Sequence, residues 1–238
     1  MKSYAITERI LWRRLHVRDF HSNNRYMTEL SYFPNVMLHD GTLAYGGSQK
    51  WFHLLWRRLS GCAAVSATNL AAYYEIGMQP DAEDPHGTAN GSPVYTLALF
   101  RRRMNDMFRE HMTSGRMGFP DPNRYVSEFV RFAARFDVTA LPETQFDRER
   151  SEDAYAMIER RLAASDPVVL LILQHTAKEL DDITWHWMTI TGLDTETDTL
   201  IVSNYGKREM WPASVVFEKK EGNQTYLIAF DMEKNGKD

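Results

Sequence analysis

The chemistry that this sequence could perform centres on Cys62, the only cysteine of the chain. Cys62 follows Gly61 and opens a run of small residues that predicts a helix, so the thiol is expected at a helix N-terminus. Unpaired N–H groups and the helix dipole favour a thiolate over a thiol at that position. The sequence therefore predicts a cysteine nucleophile.

Two downstream segments could supply the partners of such a thiol. His186 begins an apolar segment that predicts a strand, and Asn204 ends the next predicted strand. An imidazole that takes the thiol proton and an amide that orients the imidazole would complete a nucleophilic site. A short turn at 194–198 joins the two strands, so an antiparallel pair would make His186 and Asn204 cross-strand neighbours. His175 is the alternative base, but the strand that carries Asn204 follows His186 directly and favours His186.

Gln49 is the candidate for a further role, because attack on a carbonyl group needs donors for the developing oxyanion. The usual donors are the N–H of the nucleophile and a side-chain amide that lies upstream. Gln49 follows the turn Gly46-Gly47-Ser48. A loop position on the surface is the alternative interpretation of Gln49. Trp185 and Trp187 flank His186, where they would pack in the core or shield the imidazole from water.

The elements that must position these residues change in character along the chain. Predicted helices come first, at 63–74, 95–111, 123–136 and 151–164. Predicted short strands follow, at 168–173, 187–193, 200–203, 214–217 and 225–231. Short connections favour an antiparallel sheet, with turns at 194–198, 207–212 and 221–223. The pattern predicts an α+β fold with a helical N-terminal half packed on an antiparallel C-terminal sheet.

The chain is predicted to be a single domain, residues 1–238, of which 1–44 form an N-terminal segment with one short strand. Residues 81–92 are expected to be a loop, and loops at 81–92, 115–122 and 175–184 would determine specificity. Helical spacing predicts a core position for five apolar residues: Trp51, Phe52, Leu55, Trp56 and Leu59.

Composition excludes several classes of function. The chain has 238 residues, 43% of them hydrophobic, and a net charge of −4, which gives no general attraction to nucleic acid or to an anionic membrane. A single cysteine excludes an intrachain disulfide and a multi-cysteine zinc site. The chain has no phosphate-binding glycine loop and no paired metal-ligand spacing, so no cofactor and no metal are expected. Without a secretory signal pattern or a run of ~20 apolar residues, no membrane partner is expected and a cytoplasmic location is predicted.

Four short segments carry a resemblance to a known family: Gly46-Gly47-Ser48-Gln49, Gly61-Cys62, the strand from His186 to Gly192, and Ser203-Asn204-Tyr205-Gly206. Together they resemble the papain-like cysteine peptidase superfamily, most closely its bacterial C39-like branch. A Gly-Cys-Gly helix start, a His-x-Val-x-Ile-x-Gly-like strand and an Asn or Asp near a following Gly are typical there. The resemblance implies a papain-like fold and a hydrolase that acts on a peptide or other amide substrate. It also implies that Cys62 is the nucleophile, His186 the general base, Asn204 the orienting residue and Gln49 the oxyanion donor.

Two other functions remain open at this point. One is a non-catalytic binding module on the same fold, suggested by the Ala63-Ala64 flank of Cys62 and the sequence distance to Gln49. The other is an acyltransferase or transglutaminase-like enzyme that uses the same nucleophile. The substrate and the oligomeric state do not follow from the sequence.

Overall fold

The computed structural model describes residues 26–78, 87–89, 91–115, 118–145 and 151–234. These residues form a mixed α+β fold, in which the six α-helices divide equally between the two halves of the chain and six of the seven strands of an antiparallel sheet lie in the C-terminal half. The predicted α+β class is therefore confirmed. Residues 1–25 of the predicted N-terminal segment and 81–86 of the first predicted loop lie outside the described residues.

The four longer helices lie where the sequence predicts them, with small shifts at their ends. Their bounds are α1 Leu55–Ser60, α2 Cys62–Tyr73, α3 Leu97–Glu110, α4 Pro122–Ala134, α5 Ser151–Ala163 and α6 Ala213–Val216. The side chain of Thr96 caps α3 and that of Asp121 caps α4, because each accepts a hydrogen bond from an N–H of the first turn. Within the described ranges, no helix combines the length and the apolar character needed to cross a membrane.

The larger sheet has seven strands, all paired antiparallel. The bounds are β1 Met27–Glu29, β6 Val138–Gln145, β7 Val168–Gln174, β8 His186–Asp194, β9 Thr199–Asn204, β10 Lys207–Pro212 and β11 Gln224–Lys234. The order of the strands is β10-β9-β8-β7-β11-β6, and β1 pairs with β8.

The central strand β7 is apolar on both faces because each face covers a different hydrophobic core. Val169 and Leu171 join one core, which includes the buried residues of α2, α3 and α4. Val168 and Leu170 join the second core, to which α5 and α6 contribute. Side chains alternate along a strand, so one continuous apolar run can serve both cores. The sheet thus lies between two helical layers, with α2 against β8.

A second, smaller sheet was not expected from the sequence. Its order is β3-β2-β5-β4, with bounds β2 Asn35–Met37, β3 Leu43–Tyr45, β4 Gly87–Ala89 and β5 Ser92–Thr96. Strands β2 and β5 pair in parallel, although 35–37 and 92–96 are far apart in the chain. The prediction of a loop over 81–92 is therefore wrong for 87–89 and for Ser92. Strands of three residues carry too little alternation to be recognised.

Two predicted elements near the C-terminus exchange their types. The predicted turn at 207–212 is strand β10, and the predicted strand at 214–217 is mostly helix α6. The apolar Val215 and Val216 suggested a strand, but the carboxylate of Asp198 accepts a hydrogen bond from the Ser214 N–H over 2.9 Å. This contact from a distant turn satisfies the first turn of α6, and sequence periodicity does not reveal it.

Of the residues that were predicted to lie in the core around α1, only some are buried. Phe52 is fully buried, whereas Leu55 is 70% exposed and Leu59 is 75% exposed. Trp56 is 46% exposed. The core prediction is wrong for these three residues, because α1 is a helix of six residues that lies at the surface.

Candidate active site

Cys62 is the first residue of α2, a helix in which every residue is buried. A Cβ atom at Gly61 would lie 2.5 Å from Cε2 of Phe52 and 2.6 Å from the carbonyl oxygen of Arg57. Because glycine has no Cβ atom, the backbone at position 61, between α1 and α2, can lie against Phe52 and the carbonyl oxygen of Arg57. The close passage places the Cys62 thiol at the buried N-terminal end of the central helix, where it is 4% exposed.

Burial dominates the electrostatics of this thiol. Loss of solvent raises the pKa of Cys62 to about 11, although backbone hydrogen bonds act in the opposite direction. The thiol donates a long hydrogen bond of 3.9 Å to the carbonyl oxygen of Trp185. The prediction of a thiolate at the helix start is therefore wrong for this state, because desolvation outweighs the favourable helix terminus.

His186 and Asn204 are joined by a direct hydrogen bond. Nε2 of His186 lies 2.8 Å from Oδ1 of Asn204. An amide oxygen only accepts, so Nε2 carries the hydrogen and Nδ1 of the neutral ring has a free lone pair for accepting a proton. Burial lowers the pKa of His186 below its ordinary value, and the Asn204 hydrogen bond offsets only part of this effect. The ring is therefore a neutral base at neutral pH.

Gln49 lies in the same pocket as Cys62, despite the residues between them. It opens a single 3-10 turn, Gln49–Trp51, whose cap Ser48 accepts a hydrogen bond from the N–H of Lys50. The residues between Gln49 and Cys62 include α1, which lies at the surface. Gln49 and the first residue of α2 therefore line the same pocket. Oε1 of Gln49 is buried without a hydrogen-bond partner among the described residues. An amide oxygen only accepts hydrogen bonds, so a role toward an oxyanion would belong to Nε2 of the same side chain.

Asn69 supports the Gln49 turn from inside the fold and was not recognised in the sequence. Its Oδ1 accepts a hydrogen bond of 2.8 Å from the N–H of Gly47. Gly46 has a φ of +72°, and a Cβ atom there would lie 2.5 Å from Oγ of Ser203. Asn69 lies two turns after Cys62 on α2, so one helix carries the thiol and also holds the turn that leads to Gln49.

The residues predicted from the sequence surround one small pocket. Its lining includes Gln49, Cys62, His186 and Asn204, which are between 4% and 7% exposed. The volume open to the centre of a water molecule is about 10 Å³. Such a space admits about one water molecule, whereas sites for small organic ligands usually measure ~300–1,000 Å³. A substrate must therefore widen this pocket in order to reach the thiol.

The aromatic residues around His186 have distinct roles. Trp187 is buried, stacks on Tyr125 with ring centroids 4.4 Å apart and donates its N–H to the carbonyl oxygen of Phe119. Trp185 is 41% exposed and has a φ of +57°, an unusual value for a bulky residue. The ring that covers the imidazole belongs instead to Tyr205, whose centroid lies 4.9 Å from that of His186.

The alternative base His175 does not line this pocket. Its Nδ1 accepts a hydrogen bond of 3.1 Å from the N–H of Ala177, so it stabilises the turn after β7. The structure thus brings His186, and not His175, together with Cys62.

A second residue that sequence reasoning missed is Glu209 on β10. Its Oε2 accepts a hydrogen bond of 2.9 Å from Nδ2 of Asn204. The signal that could have revealed it is the pair Tyr205-Gly206, a two-residue connection of the kind that joins hairpin strands. With the hairpin recognised, the carboxylate would have been expected on a strand beside Asn204.

Metal binding finds no support in the part of the chain that the structure describes. Across those residues, no group of three or more His, Cys, Asp or Glu side chains is arranged to hold a metal ion.

Comparison with known proteins adds no family to this picture. No protein-family model matches the chain, and no curated protein matches it either.

Proposed function

We propose that this chain is a cysteine hydrolase with a papain-like fold, which cleaves a peptide, isopeptide or other amide bond through a thioester on Cys62. The observation that carries the proposal is the meeting of Cys62, His186, Asn204 and Gln49 at one pocket. They come from a helix start, a strand start, a strand end and a turn, which are widely separated in the sequence. Their types match the four parts of a thiol acyl-transfer site.

In the acylation step, Sγ of Cys62 attacks the carbonyl carbon while Nδ1 of His186 takes the thiol proton. The N–H of Cys62 and the amide of Gln49 donate hydrogen bonds to the resulting oxyanion. Collapse of the tetrahedral intermediate breaks the C–N bond, and the imidazolium gives its proton to the leaving amine. A thioester on Cys62 and a neutral imidazole remain.

In the deacylation step, water attacks the thioester carbonyl and gives a proton to His186. The C–S bond then breaks, the thiolate recovers that proton, and the carboxylic acid leaves. Asn204 holds the imidazole in the same orientation during both steps, through its bond to Nε2. The four residues therefore suffice for a complete cycle with water as the only co-reactant.

In this mechanism, the thiol proton of Cys62 moves to His186 during the attack on the carbonyl carbon and not before it. Burial raises the pKa of the Cys62 thiol and lowers the pKa of the His186 imidazole, so both groups are neutral at neutral pH. Formation of a thiolate and an imidazolium creates two charges where burial opposes both. Entry of a polar substrate carbonyl supplies the group onto which the negative charge moves.

A non-catalytic binding module is a second candidate, and the closed pocket is the observation that favours it. The thiol is 4% exposed and its pKa is raised to about 11, as expected for a cysteine that only fills space. Slow alkylation of the resting thiol is expected under both candidate functions. The measurement that separates them must therefore be turnover.

The decisive experiment compares the wild type with Cys62→Ala on a peptide mixture, with cleavage followed by mass spectrometry. We expect cleavage by the wild type, an acyl adduct in its intact mass, and neither signal from Cys62→Ala. His175→Ala is the matched control and should behave as the wild type, because His175 lies outside the pocket. Equal cleavage by Cys62→Ala, with folding verified by circular dichroism, would exclude the proposed nucleophile. Peptide binding without cleavage by either protein would establish the binding module instead.

A further inference from the structure

The side-chain amide of Asn204 is held from both sides. Its Oδ1 accepts from Nε2 of His186 over 2.8 Å, and its Nδ2 donates to Oε2 of Glu209 over 2.9 Å. Asn204 itself is 4% exposed, and Glu209 is half-buried. Imidazole, amide and carboxylate thus form a continuous hydrogen-bonded row.

The hairpin of β9 and β10 explains why Glu209 reaches Asn204. Tyr205 and Gly206 form its two-residue connection, with φ values of +49° and +77°. Two successive positive φ values are typical of the type I′ turn that joins hairpin strands. Lys207 then pairs with Asn204, and alternation along β10 returns Glu209 to the face of Asn204.

The carboxylate of Glu209 discriminates between the two orientations of the Asn204 amide. An ionised carboxylate only accepts hydrogen bonds, so it is satisfied by Nδ2 and repelled by Oδ1. Rotation of the amide by a half-turn would place two acceptors against each other at 2.9 Å. It would also place Nδ2, a donor, against Nε2 of His186.

The orientation of this amide determines where the proton of His186 lies. With Oδ1 toward the ring, Nε2 must donate, and Nδ1 is a base. With Nδ2 toward the ring, Nε2 must accept, Nδ1 carries the proton, and the ring can no longer take the thiol proton. The carboxylate of Glu209 therefore selects the tautomer that can act on Cys62.

We propose that Glu209 is a positioning residue, which fixes the amide orientation of Asn204 and thereby keeps the proton of neutral His186 on Nε2. This inference rests on the proposed function of the same site, and it adds Glu209 as the third residue of the row, after His186 and Asn204. Glu209 acts through Asn204. The negative charge of Glu209 also favours the imidazolium that forms during attack, although burial remains the largest influence on the pKa of His186.

The test is the tautomer of His186, measured by ¹⁵N NMR of histidine-labelled protein at a pH where the ring is neutral. The chain has eight histidines, so the His186 signals are assigned by their loss in His186→Gln. We expect Nε2–H in the wild type, with a preference of about tenfold or more, because hydrogen bonds to charged groups are stronger than those between neutral groups. Glu209→Gln should give a mixture of both tautomers, because a glutamine amide can satisfy either orientation of Asn204. Glu209→Ala should do the same.

The matched control is Glu196→Gln, which removes one negative charge at the exposed turn between β8 and β9. Its spectrum should equal that of the wild type. An unchanged Nε2–H signal in Glu209→Gln would overturn the proposal. Because Glu209→Gln preserves the size of the side chain, this variant still gives the test if Glu209→Ala fails to fold.

Hydrolysis adds a second readout that separates the two proposals. Glu209→Gln should lower kcat by about twofold with KM unchanged, because about half of the His186 rings would then carry the proton on Nδ1 and could not take the thiol proton. A tautomer change without any wild-type hydrolysis would support the positioning role and contradict the hydrolase. Hydrolysis with an unchanged tautomer would support the hydrolase and contradict the positioning role.

Discussion

Nε2 of His186 and Oδ1 of Asn204 lie 2.8 Å apart, although 18 positions separate the two residues in the sequence. Strands β8 and β9 bring them together, and the bond leaves Nδ1 of His186 as the proton acceptor. This single contact gives the pocket a defined base.

Replacement of the base should distinguish His186 from the other histidine considered for this role. His186→Ala should lower kcat/KM by about 10²-fold to 10⁴-fold, the usual contribution of a positioned acid or base. His175→Ala should change kcat/KM little, because His175 only stabilises a turn. Steady-state kinetics of both variants check the prediction. A larger loss in His175→Ala than in His186→Ala would reverse the assignment.

The acid limb of the activity profile should lie at an unusually low pH. The base acts only when His186 is neutral, and burial lowers its pKa below 6.5. The active form therefore persists as the pH falls below 6.5 and is lost only near the lowered pKa. The measurement is kcat/KM of the wild type against pH. An acid limb with a midpoint above 6.5 would contradict the neutral, buried imidazole.

The buried thiol should make the protein less stable in alkaline solution. The folded pKa of Cys62 is about 11 and its ordinary value is 9.0, so the thiol's stabilising contribution is complete below pH 9.0 and is lost as the pH rises toward about 11. A difference of about 2 between these values corresponds to about 3 kcal/mol of unfolding free energy. Cys62→Ser lacks this titration and serves as the reference, because buried tyrosines titrate in both proteins. If the urea midpoints of the wild type and of Cys62→Ser fell by the same amount across this pH range, the effect would be ruled out.

The close passage at Gly61 should tolerate no side chain. In Gly61→Ala the new Cβ would meet Phe52 and the Arg57 carbonyl oxygen at about 2.5 Å, so we expect a loss of about 1–3 kcal/mol from overpacking. Gly87→Ala is the control, since its Cβ would meet no described atom within 4 Å and the backbone has an ordinary φ. Urea denaturation measures both. Equal stability of Gly61→Ala and the wild type would show that α1 can move away from α2 freely.

Two apolar residues close to α2 should differ sharply in their contribution to stability. Phe52→Ala should cost about 3–5 kcal/mol, because Phe52 is fully buried. Leu59→Ser should change the unfolding free energy by less than about 0.5 kcal/mol, because Leu59 is 75% exposed. Thermal or urea unfolding of the two variants gives the comparison. A cost for Leu59→Ser near that of Phe52→Ala would mean that α1 is buried in solution.

The sequence predicted the α+β class, the four longer helices and the strands that carry His186 and Asn204, because runs of helix-forming residues without breakers mark the helices and bounded apolar runs mark the strands. It also indicated the four residues that the structure brings to one pocket, since their types and order suit a single reaction. The pKa of Cys62 could not be inferred in this way. A helix terminus is visible in a sequence, whereas the burial that opposes it depends on packing from distant elements.

Glu209 and Asn69 escaped recognition for a related reason. Strand β10 is short and mixed in polarity, so it was interpreted as a turn, and its carboxylate had no assigned neighbour. Asn69 lies in the middle of a helix of small residues, where only the folded chain shows that it supports Gly47. Both residues act on the site through a second residue, and such indirect contacts leave no spacing pattern in the sequence.

The two-residue connection Tyr205-Gly206 makes loop length a determinant of the site. It places the Tyr205 ring over the imidazole and sets the pairing of Lys207 with Asn204, which directs Glu209 to the amide. A single inserted residue would shift β10 by one position and turn every one of its side chains to the opposite face. The imidazole would then lose its cover and the amide its carboxylate in one event, with no change to Cys62, His186 or Asn204. Among related chains, the length of this loop would distinguish an intact proton-acceptor site from a degenerate one even where all three residues are kept.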